Sequence, residues 1–422
     1  ARDGRPGEQG PGRERGSQSE GDSGTRYRWV ILGAGTFAQA TFSAVSVGLP
    51  ALAPALRSHY RLSLGATGVV LGAVGIGMLF TLLPWGLLAD RLSERVVIGI
   101  GLSAAGGALV MAGRTHSYGA LVATLFVAGA TGASVNAASG RAVMGWFPLR
   151  ERGLALGVRQ TAIPIGGATA AAGLPWLGSA GGTRLAFLVL GCVCVGGAVV
   201  AATFIRESPP EELELEDIVK PMRDPRTWLL GLGAGCFLTA QIAITGFVVL
   251  FLHVHRGVSA HAAAALLAGI NVLGIGARIA SGRWSDRIQA RLRPIRLIGV
   301  WLAVATAAVA GLVDAPLVVL IPALAIAGVL SMAWNGLAIV AAAETAGPGR
   351  VGTAIGFQQT LLGVFVAGAP PAFAAIATGS WRLAFALSAI GPLVGVAALR
   401  AVPDPTAAAR RRGMSAIPPV AR

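Results

Sequence analysis

The amino-acid sequence predicts an all-α integral membrane protein with twelve transmembrane helices, arranged as two pseudo-symmetric six-helix bundles. Three observations carry this. The 422 residues are 54% hydrophobic and 13% charged, with a mean hydropathy of +0.68, whereas a soluble domain carries roughly 25% charged residues. Twelve apolar runs are each long enough to cross a bilayer core of about 30 Å, which takes about 20 helical residues. Short motifs of the first six runs recur in the last six at nearly constant spacing.

The elements follow in chain order. Residues 1–26 are polar, rich in Gly, Arg and Glu, and lack the apolar stretch of about 7–15 residues that a signal peptide needs. They are expected to form a disordered cytoplasmic tail. The first bundle, residues 27–205, holds apolar runs at 28–54, 65–89, 95–113, 118–145, 153–178 and 184–205. Residues 206–226, RESPPEELELEDIVKPMRDPR, are the one long, highly charged internal stretch. They are expected to be a cytoplasmic linker with a short amphipathic helix around residues 211–219. The second bundle, residues 227–400, holds runs at 227–253, 260–283, 295–313, 316–342, 351–377 and 382–400. Residues 401–422 form a second polar tail carrying Arg410, Arg411 and Arg412. Glycine, with 60 residues, weakens helices in water but lets helix backbones approach closely in lipid. Pro50, Pro84, Pro164, Pro322 and Pro370 inside the runs suit kinked membrane helices.

Charge sets the orientation. The net charge is +15, and the arginines gather at the ends of apolar runs. With both termini cytoplasmic, the inner loops hold fourteen basic residues (among them Arg91, Arg95, Arg150, Arg283, Arg293 and Arg350) and the outer loops six (Arg57, Arg61, Arg114, Arg184, Arg256 and Arg382). The positive-inside rule therefore places both termini and the linker in the cytoplasm. One lysine, Lys220, among 34 basic residues, together with abundant Ala and Gly, points to a GC-rich bacterial genome and so to a bacterial inner or plasma membrane. Nucleic-acid binding would require an exposed basic face with stacking aromatics, and aromatics are only 6%. Cys192, Cys194 and Cys236 have neither metal nor disulfide spacing.

The two halves repeat each other. GLLADR at 86–91 answers GRWSDR at 282–287, and RLAF at 184–187 returns at 382–385. RGLALGVRQT at 152–161 matches RVGTAIGFQQT at 350–360, Asn136 matches Asn335, and GAGTF at 33–37 matches GAGCF at 233–237. Two such bundles related by an axis along the membrane normal bring matching helices around one central path.

On these residues the chain resembles the major facilitator superfamily over essentially all of residues 27–400. The best motif is Gly86, Asp90, Arg91 and Arg95 between helices 2 and 3, with a partial copy, Gly282, Asp286 and Arg287, between helices 8 and 9. Trp146-Phe147-Pro148 and Glu151-Arg152-Gly153 are also common in that family. Where members often carry an arginine early in helix 4, this chain has Leu125, ahead of Gly129. The resemblance implies a secondary transporter that alternates access between the bundles. A carboxylate such as Asp90 or Asp286 at a helix end can accept charge-assisted bonds from arginines or a helix N-terminus. Forming these bonds in one state and breaking them in the other would bias a rocking equilibrium.

A charge in hydrocarbon costs at least ~2.5–3.5 kcal/mol, so ionisable residues inside the runs are candidate functional groups. Arg159 lies near mid-membrane beside Gln160, and the repeat sets Gln358 and Gln359 opposite them. Arg278 falls in helix 8 with Asn271 seven residues earlier on the same face. The segment GARIASGRWSDR resembles helix 8 of nitrate/nitrite and monocarboxylate porters, where an arginine contacts the anionic substrate. Leu82 and Gly274 occupy positions where those porters carry a second arginine and an aspartate. Arg141, near the cytoplasmic end of helix 4, reads as structural. Asn136, Asn335, Gln39 and Gln241 complete the candidate binding set, while Thr41 and Thr239 add hydroxyls. Within the apolar spans the only acid is Glu344.

The reading that follows is a secondary transporter, expected to be a symporter, of a small organic or inorganic anion, bound between Arg159 and Arg278. Its expected partners are the lipid bilayer, the solute and a coupling proton, with no cofactor, metal or nucleic acid. Neither a nucleophile elbow, nor zinc spacing, nor a Walker motif is present, so no enzyme is expected. Two alternatives stand beside this one. The PIGG stretch at 164–167 resembles a helix 5 motif of antiporters and suits efflux of neutral or amphiphilic compounds. The third reading is a transporter-like sensor that binds without moving solute.

Overall fold

A computed structural model describes residues 12–207 and 221–406, and among them there are helices and turns but no strands. Eleven continuous helical stretches are long and apolar enough to cross a membrane. One of them, Arg152–Phe204, has 53 residues, which at 1.5 Å per residue is about 80 Å, far more than a bilayer. It breaks at Gly181 and Gly182, where Gly182 takes φ +68°, a left-handed conformation that glycine adopts without a Cβ clash. It is therefore two spans, which makes twelve among the described residues.

We label the spans α1 (Arg26–Tyr60), α2 (Ala66–Arg91), α3 (Glu94–Ala112), α4 (Tyr118–Trp146), α5 (152–180), α6 (183–204), α7 (Pro225–His255), α8 (His261–Ile288), α9 (Leu292–Gly311), α10 (Leu317–Ala346), α11 (Val351–Ala377) and α12 (Trp381–Arg400). Side-chain caps fix many of the starts. Ser63, Ser93, Ser117, Ser259 and Ser380 accept the first free N–H groups of α2, α3, α4, α8 and α12, and Asp224 does so for α7. The start of α9 lies three residues before the expected 295. Asp404, from beyond α12, accepts the backbone N–H of Arg291 (2.9 Å) and Leu292 (2.8 Å). Pro294 then falls in the first turn, where its missing N–H leaves no bond unmade.

The helix containing α1 begins at Gly12. Residues 12–26, expected to be disordered, instead continue the span, because each residue added to a nucleated helix gains a hydrogen bond. Residues 1–11, 208–220 and 407–422 lie outside the described part, and with them the helix expected around 211–219 and Arg410, Arg411 and Arg412.

Several spans are broken at mid-length. α4 divides at Ala133, and α10 at Ala333–Trp334, the equivalent place in the repeat. α5 divides at Thr161, and α7 contains π turns at Ile242–Gly246 and Phe251–His255. Each break frees backbone carbonyls that must find donors inside the protein.

The first half has one apolar core and the second has two, and a further cluster joins the halves. In it Val143, Met144, Phe147 and Leu156 of the first half pack with Ile339, Val340, Val351 and Ile355 of the second. This seal lies toward the face that carries the linker ends, here the linker face. Toward the opposite face the packing thins, although Leu79 of α2 still meets Gly363 of α11. Every residue of α11 from Val351 to Gln358 is buried, whereas none from Gln359 to Ala372 is, and Val364 is 58% exposed. α8 changes in the same sense, from buried Ser281 and Ser285 to Val272 at 67% exposed.

Candidate functional site

The linker face is closed by two mirrored clasps. Asp90, at the end of α2, accepts the backbone N–H of Gly352 (2.7 Å) and Thr353 (2.7 Å), the first turn of α11 in the other half. Asp286, at the end of α8, likewise accepts from Gly153 (3.0 Å) and Leu154 (2.7 Å) at the start of α5. Each carboxylate thus satisfies orphan donors at the positive end of a helix dipole. Glycines permit the approach. A Cβ on Gly86 would lie 2.4 Å from the Gly352 carbonyl oxygen, and one on Gly282 would lie 2.2 Å from that of Gly153.

Of the expected gating set, Gly86, Asp90, Gly282 and Asp286 come together here. Arg91 and Arg287 do not: both are exposed, and neither forms an ion pair among the described residues. Their place is taken by Arg141, expected to be structural, and by Arg291, one of the fourteen basic residues counted to the inner loops. Arg141 of α4 bridges Asp90 (3.4 Å) and Glu94. Arg291, fully buried, pairs with Asp286 and with Glu344 (3.0 Å) and donates to the Leu149 carbonyl across the two halves. Glu344 of α10 is therefore committed to the clasp. These pairings carried a faint signal at most, because a basic residue at the end of an apolar run reads the same whether it sets topology or holds a gate.

Between the clasps and the looser packing lies a buried polar seam. In the first half Arg159 is 1% exposed and reaches from α5 across α4 to α1. Its Nε donates to Ser139 Oγ (2.9 Å), its Nη1 to Gln160 Oε1 (3.0 Å), and its Nη2 to Gln39 Oε1 (3.1 Å) and the Asn136 carbonyl (2.6 Å). Gln39 Nε2 in turn donates to Asn136 Oδ1 (3.1 Å). Arg159 is thus a brace holding three helices, with every nitrogen engaged.

Arg278 is 4% exposed and crosses between the halves. Its Nη1 donates to the Gln160 carbonyl of α5 (2.9 Å), its Nε to the Met332 carbonyl of α10 (3.2 Å), and its Nη2 makes no hydrogen bond among the described residues. Both acceptors are freed by helix breaks. Gln160 would ordinarily receive the N–H four residues on, but that residue is Pro164, which has none. Met332 ends the first part of α10, and Ser281 of α8 donates to the next carbonyl, Ala333 (2.6 Å). The first half solves the same problem without charge, as Thr81 and Trp85 of α2 both donate to the Ala130 carbonyl above the break in α4 (2.7 Å each).

The second-half amides are looser. Asn335 Nδ2 donates to Gln241 Oε1 at 3.4 Å, and Gln358, wholly buried, donates to the Ala338 carbonyl (3.0 Å). Gln359 is half-buried without a hydrogen bond among the described residues, and Asn271 turns back onto its own helix at Leu267 (2.9 Å). The structure therefore gathers Gln39, Asn136, Arg159, Gln160 and Arg278 into one contact network. Gln241 with Asn335 forms a second group, and Asn271 stands outside both. Around Gln160 two guanidinium groups meet, one on its side chain and one on its carbonyl, and neither pairs with a carboxylate among the described residues.

Comparison with known proteins gives a consistent picture. The family model described as Major Facilitator Superfamily matches residues 32–370. The chain is similar to the uncharacterized MFS-type transporter Rv2994 of Mycobacterium tuberculosis, with 31% identity over 387 residues, 90% of this chain and 86% of that one. It is also similar to the probable sulfoacetate transporter SauU of Cupriavidus necator, 27% identical over 381 residues, 84% of this chain and 88% of the other. Among solved structures, the fold is similar to the transporter FucP in its outward conformation (TM-score 0.72, 15% identity, 89% of this chain and 99% of that one). It is equally similar to the human organic anion transporter MFSD10 (TM-score 0.73, 15% identity, 88% and 99%).

Proposed function

This chain belongs to the major facilitator superfamily, and from that premise we propose that it carries a small organic anion across the membrane by alternating access, with Arg278 as the group that draws the anion in. The observation that carries the reading is the convergence of Arg159 and Arg278 on Gln160 without an acid. Two buried cations that share one residue as a partner repel, and in a low-dielectric interior that repulsion is weakly screened. An arriving anion relieves it.

The two arginines divide the work. Every nitrogen of Arg159 is engaged by its own half, and the residue supplies field and rigidity. Arg278 Nη2 has no partner among the described residues and supplies the direct contact. The similarity to a probable sulfoacetate transporter supports the anionic class, since sulfoacetate is a small dianion. The positive-inside count supports a cytoplasmic linker face, and on that reading the conformation is closed inward and more open outward.

The test is uptake into proteoliposomes of radiolabelled carboxylates and sulfonates. Arg278→Ala is expected to lower transport efficiency for the preferred anion about a hundredfold, the scale of losing one buried charge partner, with Arg278→Lys between it and the parent. Uptake by a folded Arg278→Ala protein that equals the parent's for every anion transported would remove the anion site. Drug-resistance profiles that follow expression, with no anion flux, would favour amphiphile efflux instead.

A further inference from the structure

The polar network of the second half repeats that of the first with one group missing. At the 199-residue spacing of the repeat, Gln358 stands where Arg159 stands, Ala338 where Ser139 stands, and Asn335 where Asn136 stands; Gln241, 202 residues after Gln39, takes the part of Gln39 by bonding to Asn335. Gln358 Nε2 donates to the Ala338 carbonyl at 3.0 Å, as Arg159 Nε donates to Ser139 Oγ at 2.9 Å. Beyond that atom an arginine continues to Cζ and two amino groups, which in the first half serve Gln39, Asn136 and Gln160. A glutamine ends there.

The consequence is visible in the acceptors. Gln358 Oε1 and Asn335 Oδ1 are both buried, and no group among the described residues donates to either. The Ala338 carbonyl needs a donor and so fixes the Gln358 amide, which leaves Gln358 Oε1 without one in either orientation of its neighbours, whereas turning over Asn335 and Gln241 together would let Gln241 donate to Asn335 Oδ1 as Gln39 does to Asn136. A buried acceptor left unmade costs about as much as the hydrogen bond it lacks. The second half is therefore built to accept a hydrogen bond that the described residues do not supply.

The donor it lacks is constrained in charge. Arg278 binds the Met332 carbonyl, three residues before Asn335 on α10, and a further full cation beside that guanidinium is disfavoured. A neutral O–H or N–H group is not. We propose that Asn335 and Gln358 form a hydrogen-bond-accepting subsite for a hydroxyl or similar neutral donor on the transported anion, so that the substrate class is hydroxylated carboxylates or sulfonates. The proposal rests on the anion reading above and adds the second functional group of the solute.

Two pairs of probes isolate that group: lactate against propionate, and 2-hydroxyethanesulfonate against ethanesulfonate, equal in charge and differing in one hydroxyl. Affinities are read by thermal shift on the full-length protein in nanodiscs and by competition in proteoliposomes. The expected result is tighter binding of the hydroxylated member by about tenfold, falling to a ratio of about one in Gln358→Met and Asn335→Leu. A ratio of about one in the unmodified protein, with the anions binding, overturns the subsite and leaves the anion reading standing. A tenfold ratio that persists in both variants overturns it as well, as does stimulation by sodium with no hydroxyl preference, which would give the oxygens to a cation. If no anion binds, the anion reading falls and the subsite falls with it. The parent protein's ratio decides the matter even if a variant does not fold.

Discussion

At the scale of single residues, the two arginines that looked alike in the sequence differ in what surrounds them. Arg159 and Arg278 were both visible as charges inside apolar runs, and so were Gln160, Asn136 and Gln39 as polar neighbours. What the residues could not show is that a backbone carbonyl decides the matter. Arg278 is held by Gln160 through its main chain, and a carbonyl has no letter in the sequence. One signal was present: Pro164 four residues after Gln160 marks a carbonyl with no intrahelical donor. The brace and the contact residue should respond differently to change. Arg159→Gln copies the arrangement of the second half and can keep a bond to Ser139, whereas Arg159→Leu strands Ser139, Gln39 and the Asn136 carbonyl. The leucine variant is expected to be less stable than the glutamine variant by about 1–3 kcal/mol, measured as unfolding in detergent. Equal stability of the two would show that the network is not a brace.

At the scale of helices, the interruptions carry more information than the spans. The runs themselves were legible because hydropathy and length dictate them, and the expected ends of α2, α8, α10 and α11 fall within a few residues of those observed. The breaks at Ala133 and at Ala333–Trp334 carried no such mark, since neither site has a proline. Two element-level outcomes follow. Pro164→Ala returns an N–H to the Gln160 carbonyl, in competition with Arg278. The linker face should then open more readily, and a cysteine placed at Ile355 in a cysteine-free background should label several-fold faster with an impermeant thiol reagent. Unchanged labelling would mean that Arg278 does not hold the halves together. Asp404→Ala removes the cap of α9 and should lower stability by about 1 kcal/mol. An unchanged melting temperature would show that Arg291 and Leu292 find other acceptors.

At the scale of the molecule, the two-fold repeat was the strongest message of the sequence, and it reappears as paired clasps, paired breaks and paired amide groups. The clasp aspartates and glycines were legible because their motif occurs twice, while Arg141 and Arg291 were hidden among topology charges. Because Asp90 and Asp286 sit on separate helix pairs, removing their charges should act independently. Asp90→Asn and Asp286→Asn are each expected to shift the closed-to-open ratio of the linker face about tenfold, the scale of one charge-assisted bond, and together about a hundredfold by spin-label distance distributions. A double variant no more open than either single one would show a single coupled latch. Charge is only part of the closure, however. The seal of Phe147, Leu156, Ile339 and Ile355 is apolar, and parting it exposes hydrocarbon to water, a step that raises heat capacity. Cooling weakens that kind of contact, so the balance of the two access states should drift toward the open linker face in the cold, and a van 't Hoff plot of that balance should curve rather than run straight.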